Sequence, residues 1–135
     1  IFDRIRSLIN INILNSNLNE IPYFPLAKWL CLERNNLKEI EENRLSQNLN
    51  YLILSKNYFK VIKENYFKNL KYLKELIFYE NKIHSIEPFS FTDLSELLVL
   101  SLVRNNLVKL NKNIFYGLIE LRVLNMDENS IEFLN

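Results

Sequence analysis

Residues 73–96 read LKELIFYENKIHSIEPFSFTDLSE and residues 97–120 read LLVLSLVRNNLVKLNKNIFYGLIE, one pattern of 24 residues written twice. Leu73, Leu76, Phe78, Asn81, Ile83, Ile86, Phe91 and Leu94 return as Leu97, Leu100, Leu102, Asn105, Leu107, Leu110, Phe115 and Leu118. A fixed period of this length marks stacked supersecondary units, each too small to bury its own apolar face. Working outward, Leu49, Leu52, Leu54, Asn57, Phe59, Ile62, Phe67 and Leu70 make a third complete unit. Leu121, Leu124, Met126, Asn129, Ile131 and Leu134 open another, which Asn135 cuts short. Upstream, Ala27, Leu30, Leu32, Asn35, Leu37, Ile40 and Leu45 fit a unit of 22 residues. Leu8, Ile11, Ile13, Leu18 and Ile21 fit a shorter one, with Ser16 in the Asn slot; Phe2 and Ile5 match the tail of a further unit. The spacing predicts one domain over residues 1–135, with about six repeats starting near 8, 27, 49, 73, 97 and 121 and truncated at both ends.

Around each repeat start, inward positions such as Leu76 and Phe78 alternate with residues such as Ile77, the period-two mark of a strand with one buried face. A helix over YFKNLKYLKEL is the rival. Its apolar residues Phe67, Leu70, Leu73 and Leu76 step by three, however, and drift off one face of a 3.6-residue helix. The recurrent Asn has a structural role. Where the chain leaves the strand, buried backbone donors and acceptors need partners. The Asn amide supplies two donors and an acceptor on a short stem. Asn35, Asn57, Asn81, Asn105 and Asn129 are therefore read as a ladder between coils, with Ser16 a partial substitute.

This array resembles the leucine-rich repeat family, whose signature LxxLxLxxNxL is carried most fully by LKELIFYENKI from Leu73 and LLVLSLVRNNL from Leu97. The resemblance implies an α/β solenoid, with a curved parallel β-sheet on the concave face and short helical or irregular turns on the convex face. The 24-residue length with Phe67, Phe91 and Phe115 at the nineteenth place is similar to the typical subclass of extracellular receptors and adhesion proteins. Leu45 stands in that slot once, and the two early units depart in length.

Arrays of this kind need polar caps, and none is visible in the sequence. The uncapped terminal repeats lead us to expect a segment of a longer solenoid, prone to end-to-end association. The chain is 48% hydrophobic and 24% charged, with a formal net charge of +1. Lys and Arg are scattered among Glu, which argues against a nucleic-acid stripe and a membrane-binding basic helix. No apolar run is long enough to insert into a bilayer. Cys31 is the single cysteine, so neither a disulfide framework nor a metal site is expected. No N-x-Ser/Thr sequon occurs among the 21 Asn residues, which leans against a secreted origin. His84 is the lone histidine and falls just past a strand, where it is expected to face solvent. Glu41–Glu42 and Asp127–Glu128 lie in polar runs, and there is no Gly-rich phosphate loop. The chain is read as non-enzymatic, with no cofactor.

Function then falls to the solvent-facing columns of the sheet. These run Asn10, Trp29, Tyr51, Glu75, Val99, Val123, then Asn12, Cys31, Ile53, Ile77, Ser101, Asn125. Beyond them come Leu14, Glu33, Ser55, Tyr79, Val103, Asp127 and a charged edge of Asn15, Arg34, Lys56, Glu80, Arg104, Glu128. Trp29, Tyr51, Ile53, Ile77, Tyr79, Val99 and Val103 would form one apolar, aromatic patch suited to a protein ligand. Cross-strand stabilisation of the sheet is the plainer reading of the same residues. The alternating charges of Lys56, Glu80, Arg104 and Glu128 are expected to pair with one another, leaving Arg34 beside Lys56 as a local positive spot. The resemblance favours a recognition module of a cell-surface or secreted receptor or adhesion protein, placed extracellularly. The alternative is a cytoplasmic scaffold or the substrate-binding arm of an enzyme such as a ubiquitin ligase.

Overall fold

The computed structural model describes residues 1–132. Each repeat start becomes a three-residue strand: β1 (Asn10–Asn12), β2 (Trp29–Cys31), β3 (Tyr51–Ile53), β5 (Glu75–Ile77), β7 (Val99–Ser101) and β8 (Val123–Asn125). These form one sheet in the order β1-β2-β3-β5-β7-β8, every neighbouring pair parallel. Two shorter strands, β4 (Val61–Ile62) and β6 (Ser85–Ile86), pair in parallel as a second sheet, with Ile62 and Ile86 facing the core.

A backbone kink follows each of the six strands of the larger sheet, three residues past its end, and keeps the strands short. Asn15, Arg34, Lys56, Glu80, Arg104 and Glu128 all take left-handed φ values, between 52° and 58°. That conformation costs an L-residue roughly 1–2 kcal/mol, so neighbouring groups must impose it. One such group is the next coil's carbonyl: Arg34 N–H donates to Ser55 O at 3.1 Å, Lys56 N–H to Tyr79 O at 2.8 Å and Glu80 N–H to Val103 O at 2.9 Å.

The other is the Asn that follows. Asn57 Oδ1 accepts from Leu37 N–H at 3.0 Å, and its Nδ2 donates to Leu32 O and Leu54 O. Asn81 repeats the arrangement toward Phe59, Leu54 and Phe78, and Asn105 toward Ile83, Phe78 and Leu102. Each amide thus joins its own coil to the preceding one, as its residue type led us to expect. Ser16 lacks this reach; its hydroxyl donates to Leu14 O within its own coil.

The core is continuous from Ile11 to Ile114. Leu52, Leu76 and Leu100 sit at zero exposure in the middle of their strands, and Phe67 stacks on Phe91 with centroids 5.9 Å apart. The convex return takes the irregular form, one of the two expected there: no helix occurs among the described residues, which corrects the helical alternative and the α half of the α/β reading. Its backbone closes instead in separate turns, Leu70 N–H to Phe67 O and Leu73 N–H to Leu70 O. Those turns restart every three residues, matching the step of Phe67, Leu70, Leu73 and Leu76 and aiming each side chain inward. Leu8, given a buried opening position, is 38% exposed, and Leu124 in the inward row is 40% exposed. Leu134 lies outside the described residues.

Tyr66 is a core member off the repeat template, edge-on to Phe59 and Phe67. Burial pushes its phenol up to about 12, a backbone hydrogen bond at Ile40 working in the opposite sense. A phenol raised in the folded state stabilises fully below its unfolded value near 10 and loses that contribution as pH rises toward the folded value. Wild-type stability should therefore fall by about 2–3 kcal/mol more than that of Tyr66→Phe between roughly pH 10 and 12. Urea titrations across that range read the difference.

Candidate functional site: the outward face of the sheet

Inward residues of the strands are committed to the core, so the alternate residues are presented outward. Their register is continuous. Trp29 lies beside Tyr51, Tyr51 beside Glu75 and Glu75 beside Val99, while Cys31, Ile53, Ile77 and Ser101 form the parallel row. The side chains singled out from the sequence, Trp29, Tyr51, Ile53, Ile77, Tyr79, Val99 and Val103, are all half-buried, neither in the core nor fully solvated. Trp29 and Tyr51 hold their rings 5.2 Å apart at 43°, and Trp29 Nε1–H donates to Asn12 Oδ1 at 3.2 Å. Cys31 is buried despite its outward position. Burial pushes its thiol up, which disfavours the thiolate needed for nucleophilic chemistry.

The charged edge differs from the expected alternation. Lys56 does not pair with Glu80; its Nζ lies 3.7 Å from Glu33, which also lies 3.7 Å from Arg34. Glu33 thus faces both cations of the expected positive spot. Arg104 pairs with Glu128 at 2.6 Å and donates to the Tyr79 hydroxyl at 2.7 Å. Glu128 and Tyr79 hold that guanidinium firmly charged. Tyr79 is the hub that sequence reasoning missed, with Lys56 Nζ 5.8 Å and Arg104 Cζ 5.7 Å from its ring centroid. Each partner comes from a flanking coil, so the ring is held by cations from its neighbours. The columns contained this signal: Tyr79 stands beside the edge that carries Lys56 and Arg104 one coil to either side.

Away from the sheet, His84 is exposed as expected. A cleft of about 580 Å³ includes Lys63, Glu64, Lys68, Glu87 and Asp93 in its wall. Its carboxylates Glu87 and Asp93 accept backbone N–H bonds from Glu64 and Asn69, each at 2.8 Å. Among the described residues, no three of His, Cys, Asp and Glu are grouped so as to hold a metal ion, and no helix is long and apolar enough to cross a membrane.

A family model described as leucine rich repeat matches residues 47–107. No curated protein matches the chain. Among solved structures, the chain is similar to one in the crystal structure of the TLR13–ssRNA13 complex, with a TM-score of 0.76 and 23% identity. The match covers 99% of this chain and 23% of that one, so this chain spans under a quarter of that protein's length. At this identity the shared property is the fold. The parallel coils, the Asn ladder between them and the family match coincide: residues 47–107 are leucine-rich repeats, and the coils on either side continue the same sheet.

Proposed function

We propose that this chain is a non-catalytic recognition module, presenting the sheet face to a protein partner as part of a cell-surface or secreted receptor or adhesion protein. The observation that carries the reading is the register of Trp29, Tyr51, Ile53, Ile77 and Val99, half-exposed on a single face. Aromatic and aliphatic side chains held on short, hydrogen-bonded strands lose little further freedom on binding, which favours association. The recurrence of Phe67, Phe91 and Phe115 at one place supports the receptor assignment.

The similar structure holds RNA, so a nucleic acid is the competing ligand. A phosphate backbone needs free cations, and the best-placed ones on this edge are engaged: Lys56 with Glu33, and Arg104 with Glu128 and Tyr79. That supports a protein partner.

The double variant Tyr51→Asp/Tyr79→Asp tests the reading. With its melting temperature within a few degrees of wild type, it is expected to lose protein partners retained by the immobilised wild-type chain by tenfold or more, about 1.4 kcal/mol. Equal retention by the folded variant would sink the proposal and make the chain a spacer.

A further inference from the structure

In the two outward rows of the sheet one residue, Glu75, carries a charge. It is half-buried, in register between Tyr51 and Val99, with Ile77 two residues along its own strand. Among the described residues its carboxylate has no ion pair and no side-chain hydrogen bond. The adjoining cation, Lys74, goes to Glu96 at 3.3 Å. On the charged edge, Lys56 goes to Glu33 and Arg104 to Glu128. A carboxylate set among apolar groups is poorly solvated, and removing its remaining water without supplying a counter-charge is costly. Any partner that covers the face must bring that counter-charge.

We propose that Glu75 receives a cationic side chain, Arg or Lys, from the protein partner, with Trp29 and Tyr51 packing against residues beside it. This rests on the sheet-face reading above and specifies its partner as a segment with a cation flanked by apolar residues. The apolar surroundings call for an occupant that covers area as well as charge, which a free amine cannot do. The same carboxylate repels a phosphate backbone, so the inference and a nucleic-acid ligand are mutually exclusive at this spot.

A phage-displayed library of random short peptides, selected in parallel on wild type, Glu75→Gln, Glu75→Lys and Trp29→Ala, tests it. Equal melting temperatures establish that the variants fold. Peptides recovered on wild type should be enriched in Arg or Lys flanked by apolar residues. Individual peptides should lose about tenfold in affinity on Glu75→Gln, and exchanging their cation for Gln should add little further loss. Glu75→Lys should select acidic peptides instead. Peptides that depend on Trp29 but show no preference for a cation would overturn this inference while leaving the sheet-face reading standing. Peptides indifferent to Trp29→Ala, or none recovered, would overturn both. Polyuridine binding that tightens on Glu75→Gln would overturn the inference in favour of a nucleic acid.

Discussion

Asn81→Ala is expected to lower the unfolding free energy by about 2–4 kcal/mol, since it strands one buried backbone donor at roughly 1–3 kcal/mol and removes two further buried hydrogen bonds. The Phe59 N–H loses its acceptor, and the carbonyls of Leu54 and Phe78 each lose one of two amide donors, keeping those of Asn57 and Asn105. All three lie between coils, where water cannot enter without separating Phe59 from Phe78, whose rings are 5.3 Å apart. Asn129 makes the equivalent bonds to Leu107, Leu102 and Met126 but is half-exposed. Water can replace its amide in part, so Asn129→Ala should cost markedly less. Urea unfolding of both variants checks the contrast, and equal losses would show that the ladder's contribution does not depend on burial.

Gly117→Ala is expected to destabilise by about 2–4 kcal/mol, combining overpacking with backbone strain. Gly117 is the only glycine in the chain, and its φ is 96°. A Cβ there would press on the Thr92 backbone of the preceding coil, 2.6 Å from its Cα and closer still to its carbonyl oxygen. Backbone, unlike a side-chain tip, cannot swing away. Reduced freedom of the unfolded chain returns only ~0.4–1 kcal/mol to the alanine variant. A drop in melting temperature of several degrees is the readout, and unchanged melting would mean that the coils can separate locally without loss.

Neither the crowding at Gly117 nor the burial of Tyr66 was legible in the sequence, and both lie on the convex side. There the chain is irregular, so no period announces which residue turns inward; Phe24, Tyr66 and Ile114 reach the core without a place in the template. The strand side was legible for the opposite reason. Leu76, Phe78 and Asn81 recur at a fixed interval because each answers the same constraint in every coil: fill the core, then satisfy the bend. The outward columns followed, since parallel strands of one register align equivalent residues. What the columns could not convey is how far a long side chain reaches. Lys56 turns to Glu33 on the preceding coil rather than to Glu80 on the next, and Arg104 extends to Tyr79 as well as Glu128. Glu75 stood in its column from the start, but its isolation emerges only once Lys74, the adjoining cation, is seen to pair with Glu96 instead.

The left-handed residue that follows each strand of the larger sheet separates architecture from identity. Main-chain bonds and the following amide hold the bend, and Asn, Arg, Lys and Glu have all been accommodated there. The rim of the sheet face is therefore interchangeable lettering on a fixed rack. A change of charge at Arg34, Glu80 or Arg104 alters what the rim attracts while the rack keeps its spacing. Selectivity in such a molecule can drift or be re-engineered one coil at a time, with no need to invent a new fold for each new partner.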